Sequence, residues 1–392
     1  MSLFDRIFAY WLSRNDRRQA AETFKLLNGY SPVWHSWGGE IYESELVRAA
    51  IDARARHISK LQITIQGTAK PSLQTKLRLG PNEWQTWGQF LYRLSTILDA
   101  QTTALIVPVI DRGGDTTGIY PVLPHKAEVV EYKGTPWMRF EFNGGQRAAI
   151  ELDRVGVMTK FQYKNDFFGS GNGALHPTME LVDLQKQGIE EGVKNSASYR
   201  FMATLSNFAN EADLAKERER FTRTNLEKGG GVLLWPNTYT NVQQINSKPF
   251  VVDADQMKLI DTSVFNYFGV NEKILQNAAI GDEWSAFYEG AIEPFAVQLS
   301  DVLTKMLFTM RERELGSSVM ATANRLQYMS NKDKLEVSSQ MLDRGILSIN
   351  DVRTIWNLPP VDGGDVRIIR GEYYNADEKT TPVNGGTDEQ QD

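Results

Sequence analysis

The chain contains no cysteine among its 392 residues, so disulfides and thiolate metal sites are excluded and no redox compartment is implied. Histidine is nearly as scarce. The four present, His35, His57, His125 and His176, include no pair three or four positions apart, the spacing of a helical metal site. No stretch approaches the roughly 20 apolar residues that span a bilayer. The longest apolar run, Ala104 to Ile110, is interrupted by Pro108, which points to an edge strand or a bulge. Basic excess is missing as well. The formal net charge is −6, and no Lys/Arg cluster follows Arg14 to Arg18, so tight non-specific gripping of duplex DNA is not expected. No G-x-S-x-G elbow, P-loop ending or complete GxGxxG is present.

What is present describes an ordinary globular chain, 41% hydrophobic and 23% charged, long enough for two or three compact units. At the N-terminus Leu3, Phe4, Ile7, Phe8, Trp11 and Leu12 recur at helical spacing. Asp5 and Arg6 break any signal-peptide core, and docking of this helix on a neighbouring subunit is preferred to a membrane surface. Residues 41–66 read as a helix striped by Leu46, Ala49, Ile51, Ala53 and Ile58, feeding a strand that alternates over Leu61 to Ile65. A second aromatic-faced helix covers 83–99. Strands follow at 103–110, 119–123, 127–132, 136–142, 146–151 and 154–160, with Asn143-Gly144-Gly145 as a hairpin turn. The expectation is a mixed α+β region ending in an antiparallel meander.

Gly169 to Gly173 reads as a flexible break between domains. Beyond it a long polar helix is expected from Thr178 to about Leu205, with Glu180, Asp183, Glu190 and Glu191 giving an acidic excess, and Gly188 and Gly192 allowing a close neighbour. A charged helix at 211–228 and strands at 232–235 and 239–245 precede a helix over 254–268. Another helix covers 288–314, with Pro294 in its first turns. The tail from about Asn375 lacks large apolar residues and reads as disordered. The paired carboxylates Glu190-Glu191, Asp282-Glu283 and Glu211/Asp213 lie in polar segments where neighbouring acids diverge, which argues against convergent acid–base chemistry. No cofactor and no metal are expected. The segment Asn277 to Glu289 sets Trp284, Phe287 and Tyr288 beside Asp282 and Glu283. These aromatics either anchor a loop to a core or line a channel or a partner surface.

Near the C-terminus Gly345 to Arg353 (GILSINDVR) leads to Asn357 to Asp365 (NLPPVDGGD). Ser348 and Asp351 can form a capping box, Val352, Ile355 and Trp356 share one face, and Pro359 ends the helix. This ordered motif resembles the crown of portal proteins from tailed bacteriophages. Phe268 to Leu275 (FGVNEKIL), then Asp282 to Trp284 and Phe287 to Pro294, is similar to the family's tunnel-loop region. Trp84 to Trp87 and Phe168 to Pro177 resemble its early helix-and-strand unit and the break before its first stem helix. Asn271 departs from the proline that many relatives carry after Phe-Gly-Val.

The resemblance implies an α+β subunit: an α/β wing (1–175), stem helix 1 (176–205), a clip (206–253) and stem helix 2 (254–273). A tunnel loop (274–288), a wing helix (289–328), a helical crown (329–374) and a tail (375–392) complete it. It implies a homo-oligomeric ring, usually a dodecamer, at a capsid vertex of the virion, assembled in the host cytoplasm. Double-stranded DNA would pass through it during packaging and ejection. The implied partners are the terminase large subunit, a head–tail adaptor and the major capsid protein, with no membrane and no catalysis. Channel-lining residues would be Asn277, Asp282, Glu283, Trp284, Phe287 and Tyr288 on the tunnel loop, and Glu180, Asp183, Glu190 and Glu191 on the stem. Clip contacts would be Glu217, Arg218, Arg220 and Trp235. Another virion ring or adaptor, or a carboxylate-dependent hydrolase, are the alternative classes.

Overall fold

A computed structural model describes residues 44–111, 113–196, 254–323, 331–356 and 358–369, with the short pieces 25–26, 33–35, 42, 201–205, 215–216, 219 and 239–244. The chain forms two compact units, one of residues up to 174 together with 264 onward, the other of residues 175–263.

In the first unit, β1 (Lys25–Leu26) and β2 (Val33–His35) precede α1 (Glu45–Ile58), β3 (Gln62–Gln66), α2 (Pro71–Leu79) and α3 (Trp87–Gln101). Helix α3 starts with a full capping box between Thr86 and Gln89, which satisfies two backbone donors at its N-terminus. Of the expected stripe of α1, Ile51, Ala53 and Ile58 are buried, Leu46 is half-buried and Ala49 is exposed, and Val47, Ala50, Arg54 and Ala55 complete the buried face. Helices α1 and α3 pack on one another through Ile51 and Ile58 and through Phe90, Leu91 and Leu94, all fully buried.

Strands β4 (Thr103–Ile110), β5 (Thr116–Val122), β6 (Lys126–Tyr132), β7 (Thr135–Glu141), β8 (Arg147–Glu151) and β9 (Gly156–Thr159) confirm the strand-rich half. They are not a single meander. One sheet has the order β5-β4-β9, and the other joins β6, β7 and β8 to β1 and β2, all antiparallel. A shared apolar cluster, including Val107, Val129, Met138, Phe140 and Ile150, draws on both sheets. Pro108 lies on the central strand, yet β9 pairs only with Thr103 to Ile106, so the missing N–H falls beyond that ladder, next to a register shift at Val109/Ile110.

The break expected over Gly169 to Gly173 falls just before the boundary between the two units at 174/175, but its first glycine is packed and not slack. A Cβ there would lie 2.3 Å from the carbonyl oxygens of both Thr102 and Lys160, and the Gly169 N–H donates to Thr103 Oγ1 at 3.0 Å.

The second unit holds α4 (His176–Ser196), β10 (Phe201–Leu205), β11 (Tyr239–Gln244) and the start of α5 (Ala254–Tyr267). The long helix expected to reach 205 therefore ends at 196, because residues 201–205 pair antiparallel with 239–244. The expected partner of that strand, 232–235, lies outside the described residues, as do most of the 211–228 helix and the tail from 375.

Helix α5 closes with a Schellman arrangement: the Val270 N–H donates to Phe265 O and the Gly269 N–H to Asn266 O, with Gly269 at φ +71°. Asn271 then caps α6 (Glu272–Leu275) by accepting from the Ile274 N–H. Asparagine thus starts the next helix, a job its side chain can do and proline's cannot. Helix α7 (Asp282–Phe287) runs through a π-turn (Tyr288–Ile292) into α8 (Glu293–Leu307), followed by α9 (Met310–Glu314) and β12 (Ser318–Thr322), which pairs with β3. The 274–288 loop is thereby corrected to a short connection over 276–281, and the helix expected over 288–314 starts earlier and stops at 307.

The C-terminal region contains α10 (Asn331–Asp343) and α11 (Ile349–Ile355). The Ser348–Asp351 capping box forms as the sequence implied, and its hydrogen bonds hold the Asp351 carboxyl below its ordinary range. Buried Asn350 ties the following turn down. It donates to Val361 O and Asp365 Oδ1 and accepts from the Val361 N–H, and a Cβ on Gly364 would strike its side chain.

Gly169→Ala should lower stability by about 1–3 kcal/mol, because both obstructing atoms are backbone and cannot rotate away. A thermal melt indistinguishable from wild type would disprove the packed reading of this glycine.

Candidate functional site

Two regions carry the residues singled out by the sequence. The first is α4. Glu180, Asp183, Glu190 and Glu191 are all exposed, and at helical periodicity they fall within about a 100° arc. Opposite them lie Leu181, Ile189, Gly188 and Gly192. Leu181 remains 50% exposed and Ile189 40%, so the chain alone leaves apolar surface uncovered there.

The second is the segment 272–292. At the connection, Asn277 is exposed in the left-handed region (φ +57°), a conformation asparagine tolerates, and Asp282 is exposed. Glu283 is half-buried and ion-paired with Lys273, closing the base of the connection. Trp284 is half-buried with its ring edge-on to His57 at 4.6 Å between centroids, and Phe287 stands 5.6 Å from the same imidazole. Phe287 and Tyr288 are buried inside this unit. Of the two uses open to these aromatics, anchoring holds for Phe287 and Tyr288: side chains covered by their own chain cannot line a channel. Asn277 and Asp282 keep the exposure such a role needs. The clip residues Glu217, Arg218, Arg220 and Trp235 lie outside the described residues.

His57, Lys60, Trp284, Tyr288, Ile292 and Ala323 line a small cleft. His57 Nδ1 is buried there without a hydrogen-bond partner. Burial, reinforced by the charges of Lys60 and Arg56, pushes the imidazole down to about 4, so it is neutral at physiological pH.

Sequence reasoning missed the cluster behind this cleft. Arg54 from α1 donates through Nη1 to Oδ1 of Asp99 on α3, and the Lys160 ammonium reaches the same oxygen at 3.0 Å. Asp99 is fully buried, and its Oδ2 has no hydrogen-bond partner. Arg54 also forks onto the Ala291 carbonyl, with Nε at 3.1 Å and Nη2 at 3.0 Å. Burial pushes the Lys160 ammonium below its ordinary value; Asp99 opposes that shift and Arg54 adds to it. Buried Asn172 donates to the carbonyls of Asp99 and Ala100 and accepts from the Tyr267 hydroxyl at 2.8 Å. A charged residue within an apolar stripe was the available signal, and Arg54 stood in the sequence as such.

Among the described residues, no group of three or more His, Asp or Glu side chains could hold a metal ion, and no helix is long and apolar enough to cross a membrane.

This architecture is shared with neck proteins of phage-like particles. The neck of a native gene transfer agent particle with C12 symmetry superposes with a TM-score of 0.57 at 13% identity, covering 88% of this chain and 99% of that one. A chain from the virion of a native gene transfer agent particle gives 0.56 at 15% identity, with the same coverage. The chain belongs to the phage portal protein family, whose model matches residues 45–357. Probable portal proteins of Lactococcus phages p2 and SK1 are each 24% identical over 161 residues, 39% of this chain, and the match spans only 43% of the length of those relatives.

Because the folded chain holds His57 neutral down to about pH 4 while an unfolded chain protonates it near 6.5, the unfolded state binds the extra proton as pH falls through that window. Stability should therefore drop on acidification, and His57→Gln should flatten the fall in melting temperature between pH 6.5 and about 5. Equal slopes for the two proteins would refute a buried neutral His57.

Proposed function

We propose that this chain is one subunit of a portal ring, present in twelve copies at a capsid vertex of a virion, through which double-stranded DNA is packaged and ejected. The carrying observation is the family match over residues 45–357. The likeness to a C12-symmetric neck chain, nearly end to end, supports ring assembly. Helix α4 supplies the physical logic. Its apolar and glycine face, uncovered in one copy, suits a neighbouring helix, and its acidic face suits a lumen. With each copy contributing a net charge of −6, the wall would repel the phosphate backbone and not hold it, as a conduit requires.

In the same reading, Asn277 and Asp282 on the 276–281 connection approach the DNA, and the residues around 206–253 dock the terminase large subunit and later a head–tail adaptor. The major capsid protein surrounds the ring, assembly takes place in the host cytoplasm, and no catalytic step is assigned to the chain.

The purified full-length chain should sediment as a species of about twelve times its 44.4 kDa mass and appear in negative stain as a ring with a central hole. A protein that stays monomeric at all concentrations would overturn the proposal. In a reconstruction of that ring, at least one of Glu180, Asp183, Glu190 and Glu191 should face the lumen; all four turned outward would remove the acidic-wall argument.

A further inference from the structure

The buried cation–carboxylate cluster meets the 272–292 segment at one atom, the carbonyl oxygen of Ala291. That carbonyl belongs to the π-turn Tyr288–Ile292, in which the Glu293 N–H reaches back to Tyr288 O, five residues away. Pro294, the next residue, has no N–H to offer the turn. A π-turn holds one residue more than the α-helix would, and it lasts only where surrounding contacts pay for its poorer geometry.

The fork of Arg54 is such a contact. Its planar guanidinium grips Ala291 O with two N–H groups while a third holds Asp99, which is itself fixed on α3 and neutralised by Lys160. Were the turn to relax into α-helical register, α7 would rotate by about 100° and shift by about 1.5 Å against α8. Trp284 and Phe287 would then leave His57, and the 276–281 connection would point elsewhere.

We infer that Arg54, seated on Asp99, is a positioning residue: it locks the π-turn and so fixes the direction in which the 276–281 connection projects. What that connection meets rests on the ring reading above; the lock itself is a property of a single chain. Lysine cannot substitute, because one ammonium does not span Asp99 and Ala291 O together with a bidentate grip.

The test is hydrogen–deuterium exchange on the full-length protein, read by mass spectrometry alongside the particle mass. Arg54→Lys should accelerate exchange at the amides of 289–296 by about tenfold or more, the scale of a lost charge-assisted hydrogen bond. Residues 90–98 of α3 should be unchanged. Asp99→Asn, which keeps the shape but removes the charge that seats Arg54, should also accelerate exchange at 289–296, by more than any acceleration it causes at 90–98 of its own helix. Unchanged rates at 289–296 would overturn the inference, as would an acceleration spread equally over 90–98, which marks general weakening. If neither variant folds, wild type decides: amides of 289–293 protected as well as those of 296–306 support the lock, and markedly faster exchange there refutes it. Loss of the ring mass in wild type would count against the ring reading and leave the lock standing.

Discussion

Inside the larger unit a fully buried carboxylate, Asp99, holds two cations on one oxygen, and much of the surrounding geometry follows from what those cations reach. A lone carboxylate at that depth would be prohibitively costly, so Arg54 and Lys160 are obligatory partners; removing one member of such a pair typically costs about 3–5 kcal/mol. Each partner brings its own element. Arg54 ties α1 to the π-turn, and Lys160 follows β9 and lies over the rings of Phe161, Tyr267 and Phe268. Asn172 draws on the backbone carbonyls of the same α3 turn and reaches Tyr267. Five stretches of chain distant in sequence are thereby held in register by a few polar contacts in an otherwise apolar interior.

The division of labour that results is physical. The two sheets and helices α1, α3 and α8 form a packed body, with Phe90, Phe140 and Phe295 buried at its centre. Helix α4 has only Val182 buried among its described side chains; its acids gather on one arc, with exposed Leu184 at the edge of that arc and Leu181 and Ile189 beyond it. A helix of that kind is poorly served by one copy of the chain. Its exposed Leu181 and Ile189 suit a second surface packed against them.

Much of this was legible along the chain. Strand β3 alternates as its sequence does, and the caps at Thr86 and Ser348 are written within four residues each. The motif from Gly345 to Asp365 carries the resemblance to the family, and its turn is held by Asn350, a contact only eleven residues long. The misreadings share one cause. Arg54 lies outside the apolar stripe that the sequence of α1 suggests, Gly169 reads as slack in a break between domains, and 277–289 reads as a loop. In each case a contact with a residue far away in sequence decides: Asp99 for Arg54, the Thr102 carbonyl for Gly169, and His57 for Trp284 and Phe287.

The sequence by itself determined the α+β class, most element positions, the acidic face of α4, the absence of any thiol chemistry and the family. These depend on periodicity, capping and composition, which act within one or two turns of chain. Only the tertiary structure decided that strand 239–244 pairs with 201–205, that the aromatics Phe287 and Tyr288 lie inside, and that a π-turn at 288–292 is gripped from behind by Arg54. Those depend on which buried charge finds which partner, and local sequence does not encode a pairing made across 237 positions.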